Sequence, residues 1–222
     1  MAGRKLRLWL DVFKSELVRG AQFSKENDLP LIKKTNLVPE KLIPFDKVKN
    51  CKNKKRHWVH FYIHDYLFER LWNNPKKYLP ILKRFAGVIT PDYSMCYDFP
   101  LNMQKWNLYR NRALGYWMQS NGIEVIPNVR WSDERSLEFA FEGLPKKGTL
   151  AISTYGCIQK RYDRENFKKG LEKMVVELKP QTIVNYSRTP DDIFLPYKQM
   201  GINIVSFDSY LDCLYKARAK HG

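Results

Sequence analysis

The sequence predicts an α/β protein in which about six alternating β/α units build a parallel sheet. From Trp58 onward, short apolar runs of strand length alternate with longer stretches that carry apolar residues at helical spacing. The runs are apolar on both faces, as strands covered by helices must be. With 44% hydrophobic and 14% aromatic residues, a chain of 222 residues has enough apolar side chain for a real core.

Residues 1–56 read as a short N-terminal helix, an extended arm and a basic loop, and residues 57–222 as the β/α domain. Leu6, Leu8, Leu10, Phe13, Leu17 and Val18 suit an amphipathic helix that ends at Gly20. From Asn27 to Phe45, Pro30, Pro39 and Pro44 interrupt any helix, so this stretch is expected to lie extended, anchored by Leu31, Ile32, Leu42, Ile43 and Phe45. Lys47 to Arg56 is a basic run with little to bury.

WVHFYI (Trp58 to Ile63) is the first expected strand, followed by helices from Tyr66 through Trp72 and from Pro75 through Phe85. GVIT (Gly87 to Thr90) is the second strand and Leu101 to Ser120 a long helix stopped by Asn121-Gly122. IEVIPNV (Ile123 to Val129) is the third strand, with a short helix at Ser136 to Phe141. TLAIST (Thr149 to Thr154) is the fourth, and Phe167, Leu171, Met174, Val175 and Leu178 set the helical period after it. TIVNY (Thr182 to Tyr186) and INIVSF (Ile202 to Phe207) are the fifth and sixth, separated by a helix at Ile193 to Met200 and followed by a last helix from Tyr210.

Two architectures fit that order: an incomplete or distorted TIM-like barrel, and an open doubly wound sheet. No strand is followed by GxGxxG or GxxxxGK[ST], which favours the barrel-like form and disfavours the corresponding nucleotide sites.

Lys and Arg number 39 against 23 Asp and Glu, a formal net charge of +16. Such an excess suits a polyanionic partner, because neutralised phosphates release condensed counterions. The four cysteines form no CxxC pair and read as reduced thiols. The N-terminal apolar run is broken by Asp11, Lys14 and Glu16, unlike a signal peptide, and no apolar segment is long enough to span a membrane. A cytoplasmic location and no membrane partner are therefore expected.

In either architecture ligands bind at the carboxyl ends of the strands. Asp65, Asp92, Arg130 and Asp208 follow strands and are the candidate catalytic residues, with His64 as an acid/base candidate because imidazole titrates near neutrality. Asp residues also cap helices, so Asp65, Asp92 and Asp208 have a purely structural reading as well. His57, His60 and His64 invite a metal reading, but His57 falls on the other strand face, and no metal ligands are assigned. The cofactor is left open, with Mg²⁺ one that paired carboxylates can hold. Cys96, in the long TPDYSMCYDFP loop, lacks an identifiable base. Candidate nucleic-acid contacts are Lys52, Lys54, Lys55 and Arg56 in the basic run, Tyr109, Arg110 and Arg112 in the long helix, and Trp131.

The pieces HFYIHDYLFERLWNNP, ITPDYSMCYDFPLNMQ, YRNRALG and VIPNVRW resemble DUF4417, a family of unknown function carried by bacterial phages, plasmids and integrative elements. The similarity extends from about Leu29 to Gly156 and includes Asp65, Asp92, Ser94, Asp98, Asn107, Arg110, Arg112 and Trp131. His64 stands where that family is expected to have aspartate, which weakens a role for position 64. The resemblance implies a phage or mobile-element protein in a bacterial cytoplasm and brings no settled catalytic residues.

The leading expectation is a phage or mobile-element protein that binds nucleic acid through its basic surface. The alternatives are a TIM-like hydrolase or transferase acting on a nucleotide or nucleic acid with the strand-end Asp and Arg residues, and an inhibitor that binds a host protein.

Overall fold

A computed structural model describes residues 13–210, 212 and 213, and among them seven strands and five α-helices alternate. The strands are β1 (Lys41–Pro44), β2 (His57–His60), β3 (Gly87–Ile89), β4 (Val125–Ile126), β5 (Thr149–Ser153), β6 (Thr182–Tyr186) and β7 (Asn203–Phe207). Helices α1 (Asp65–Asn73) and α2 (Pro75–Leu82) follow β2. Helix α3 (Leu101–Ser120) follows β3, α4 (Arg161–Leu178) follows β5 and α5 (Asp191–Gln199) follows β6. The expected terminal helices lie largely outside the described residues; the part of the first that is described is one 3₁₀ turn, Ser15–Val18.

All strand ladders are parallel and consecutive: β1-β2-β3-β4 in one sheet and β5-β6-β7 in another. The order never reverses within a sheet, as it does at the switch point of a doubly wound fold. A parallel bridge between Asn128 and Ala151 joins the sheets, with Val129 N–H donating to the Ala151 carbonyl at 2.8 Å. Pro127 lacks a donor, which shortens β4 well below the expected Ile123–Val129. Strand β1 was legible only as extended arm. It pairs with β2 alone, and an edge position tolerates Pro44.

Side chains alternate between two environments. Val59, Val88 and Val125 pack with Phe68, Leu71, Leu82, Leu114 and Met118 of α1 to α3, while Leu150, Ile152 and Ile183 pack with Leu171, Met174 and Phe194 of α4 and α5. The other face gathers Leu42, Trp58, Ile89, Ile126, Ala151, Val184, Tyr186 and Phe207, at least one residue from each strand. Strands β2 and β6 are four steps apart, about 19 Å along a flat sheet. Yet the His60 and Tyr186 rings lie 4.6 Å apart, so the sheet is rolled with the helices outside.

Trp131 is an internal post, 7% exposed, whose indole N–H donates to the Asn166 carbonyl at 3.2 Å and whose ring meets Phe167 and Phe141. A Cβ built at Gly170 of α4 would overlap that indole. In a helix interior Gly→Ala ordinarily gains up to about 1 kcal/mol. Here overpacking outweighs it, and Gly170→Ala is expected to lower stability by about 1–3 kcal/mol, read as an earlier urea midpoint.

Candidate functional site

Parallel strands bring their carboxyl ends to one side, and a chain of polar contacts runs across it. Tyr62, just past β2, donates its hydroxyl to Asn128 Oδ1 at 3.0 Å, and Asn128 Nδ2 donates to Asp92 Oδ1 at 2.7 Å. Asp92 Oδ2 lies 3.7 Å from Arg130 Nη1, which donates to Cys157 Sγ at 3.0 Å. Asn128 is fixed further by its backbone N–H on Thr90 Oγ1 at 2.8 Å. Residues following four successive strands, β2 to β5, thus share one network.

Burial dominates the electrostatics of its acidic members, Asp92 and Tyr62. It raises the Asp92 carboxyl against the pull of Arg130, and raises the Tyr62 phenol further, with Asp92 adding to the effect. The Arg130 guanidinium is held more firmly protonated by the Cys157 sulfur and then by Asp92, against burial. His60 sits on the same inner face, 1% exposed, and burial lowers it to about 3. It is a neutral acceptor, taking the Tyr62 backbone N–H on Nδ1 at 3.2 Å. Arg130 Nε is buried without a hydrogen-bond partner.

Arg130 and Cys157 open into a cleft of about 210 Å³ between the ends of β4 and β5, the β3–α3 loop and the start of α4. Met95, Val129, Trp131, Ile152 and Phe167 give it apolar walls, and Cys96, Tyr97, Ser132, Ser153, Asp163 and Asn166 supply polar edges. A row of side chains on α3 shapes the loop. Gln104 donates to the Cys96 and Phe99 carbonyls at 3.1 and 3.0 Å, Asn107 to the Ser94 carbonyl at 2.6 Å, and Asn111 to the Pro91 carbonyl at 2.6 Å. The spacing 104, 107, 111 is one helical face, and that polar row was a readable signal.

The candidate residues divide. Asp92 and Arg130 meet. Asp65, at the start of α1, takes the Ser94 backbone N–H at 3.0 Å and its hydroxyl at 2.9 Å, so it ties the loop rather than entering the chain of contacts. His64 is exposed, with its ring on Tyr66 at 5.9 Å, and stays outside the network. Asp208 follows β7, beyond the four strands whose ends carry the network. Among the described residues no group of three or more His, Cys, Asp or Glu side chains could hold a metal ion.

Two of the expected nucleic-acid contacts are internal ties. Arg112 is 0% exposed; its Nη2 donates to the Ala140 carbonyl at 2.8 Å, its Nε to the Glu142 carbonyl at 3.0 Å, and burial lowers it to about 9. Arg110 pairs with Glu69 at 2.8 Å and lies 3.8 Å from the Tyr93 ring centre. Neither offers a free cation, and Trp131, 7% exposed, contributes only to the cleft wall. Tyr109 stacks on Trp106 at 5.6 Å. Lys52, Lys54, Lys55 and Arg56 precede β2 and so lie at the amino ends of the strands, away from the cleft, with Arg56 paired to Glu40. In the sequence Tyr62 reads as plain strand and Cys157 as an ordinary thiol. Neither carries a local motif.

Residues 21–208 match the family model described as Domain of unknown function (DUF4417), so the likeness runs through the last third as well. The chain is 34% identical over 177 residues to the Gene 1 protein of Mycobacterium phage L5, covering 78% of this chain and 77% of that one. To the Gene 1 protein of Mycobacterium phage D29 it is 36% identical over 140 residues, 62% of this chain and 52% of the relative. No solved structure matches. No helix of the described residues is long and apolar enough to cross a membrane.

Because His60 binds its proton only near pH 3 when folded and near 6.5 when unfolded, the unfolded state holds more protons between those values. Stability is expected to fall as pH drops through that window, by up to about 5 kcal/mol. His60→Gln should flatten the profile, measured as urea unfolding at a series of pH values. Arg112→Met strips donors from two buried carbonyls and should lower stability by about 2–5 kcal/mol.

Proposed function

Since the chain belongs to the DUF4417 family and its relatives include two phage proteins, we propose that it is a phage protein that binds nucleic acid through the amino-end pole of its sheet. The observation that carries this reading is where strand direction collects the charge. Lys41 opens β1, Lys52 and Lys55 precede β2, Lys83 and Arg84 precede β3, Lys146 and Lys147 precede β5, and Lys179 precedes β6. All eight are exposed. Lys33 and Lys34 join them, because the Thr35 carbonyl accepts the backbone N–H of Thr149 at the start of β5. Acidic residues are fewer there: Glu40 is paired with Arg56, and Glu124 precedes β4.

Residues that are scattered through the sequence thus face one direction, and a concentration of cations on one surface is what a phosphate backbone recognises. The same reading takes the rolled, consecutively ordered sheet as an incomplete TIM-like barrel, supported by the inner cluster with residues from all seven strands. On such a scaffold the exposed cations are spread over the amino-end pole, which suits an extended phosphate backbone more than an enclosed ligand. That geometry favours contact without base reading.

Binding of duplex DNA and of single-stranded RNA across a salt series tests this. The affinity is expected to fall steeply with salt, and replacing Lys52, Lys55, Lys146 and Lys147 together by Gln should make the duplex slope shallower by about 0.9 for each phosphate that is no longer neutralised. Affinity absent at low salt, or a slope that the four replacements leave unchanged, defeats the reading.

A further inference from the structure

We propose that the cleft at the carboxyl ends of β4 and β5 binds a single unstacked nucleotide, its phosphate on Arg130 and its base against the Tyr97 and Tyr162 pair. This site is separate from the amino-end surface, so either can fail without the other.

The cleft is a built site. Arg130 has one guanidinium nitrogen engaged, on Cys157, and its buried Nε has no partner. Asp92 faces it at 3.7 Å, beyond hydrogen-bond length, so the cation is partly balanced yet retains donors for an anion. A fixed, half-compensated guanidinium at the floor of an apolar-walled cleft suits a phosphate whose own charge completes the balance.

The rim supplies the rest. Tyr97 and Tyr162 are 54% and 55% exposed and stand edge to face with ring centres 5.5 Å apart. Uncovered aromatic faces beside a cation are what single bases stack on. Lys160 and Arg161 are exposed at the start of α4, directly before Tyr162 and the cleft-lining Asp163, and add positive charge to that segment. Gly156, with φ of +73° and nothing within 4 Å of where a Cβ would be, leaves bare backbone at the lip. Asp163, which also lines the cleft, is available to accept from a sugar hydroxyl or an exocyclic amine.

Size narrows the ligand. At about 210 Å³ the space is below the roughly 300–1,000 Å³ of sites that enclose drug-sized molecules. It therefore takes one nucleotide in part, with the base lying on the rim, and excludes a duplex. A free nucleoside monophosphate and the phosphorylated end of a strand present the same chemistry.

Titration calorimetry with AMP, adenosine, inorganic phosphate and a tetradeoxynucleotide with or without a 5′-phosphate tests the assignment. AMP is expected to bind more tightly than adenosine or phosphate. Arg130→Gln should weaken it at least tenfold, and Tyr97→Ala and Tyr162→Ala severalfold each. AMP should also slow alkylation of Cys157 by iodoacetamide relative to Cys213. If the phosphorylated tetranucleotide binds better than AMP, the source is a strand end, and if not, the free nucleotide; both outcomes keep the site. Arg130→Lys preserves charge without the planar fork, so it reports even where Arg130→Gln does not fold. Wild-type protein that binds neither AMP nor the phosphorylated strand overturns the assignment. So does AMP affinity unchanged in Arg130→Lys and Tyr97→Ala, or phosphate binding as tight as AMP.

Discussion

The inner cluster of Leu42, Trp58, Ile89, Ile126, Ala151, Val184, Tyr186 and Phe207 holds seven strands that all run the same way, and their shared direction sorts the polar groups before and after them. Residues before a strand come to one pole and residues after it to the other. The single Asn128–Ala151 bridge carries the roll from one sheet to the next, through a β4 of two residues. Two backbone bonds at this bridge, Ala151 N–H to the Pro127 carbonyl and Val129 N–H to the Ala151 carbonyl, act together with Ile126 and Ala151 in the apolar interior to hold the two sheets in register.

Into that interior the chain places groups that burial penalises. His60 stays neutral, the Asp92 carboxyl is raised, and Arg130 lacks a partner for its Nε. The half-buried Asp92–Arg130 pair, at 3.7 Å, gives little net stability, because partial desolvation of the two charges offsets their attraction. The polar row Gln104, Asn107 and Asn111, which α3 presents to the loop bearing Asp92, fixes the arrangement.

Much of the fold was legible from local pattern. β5, β6, α3 and α5 fall within about two residues of their expected limits, because uninterrupted apolar runs and helix stops such as Asn121-Gly122 act locally. β1 escaped notice, since it exists only through its pairing with β2, Lys41 against His57, and Pro44 argues against a strand. The candidate site was half legible. Asp92 and Arg130 could be named as strand-end residues, but Arg110 and Arg112 carry the same local signature of a basic, aromatic helix face and turn inward to Glu69 and to the carbonyls of Ala140 and Glu142.

By itself the sequence determined the alternation of strand and helix, the positive charge and the resemblance to DUF4417, since composition, periodicity and motif are properties of neighbouring residues. Only the tertiary structure decided that cations from six segments gather at one pole, that Tyr62, Asn128, Asp92, Arg130 and Cys157 join in one network, and that Arg112 is enclosed. Those facts depend on the curvature of the sheet and on which face of a helix meets it. Both are set by packing between residues far apart in the chain, and no local window contains them.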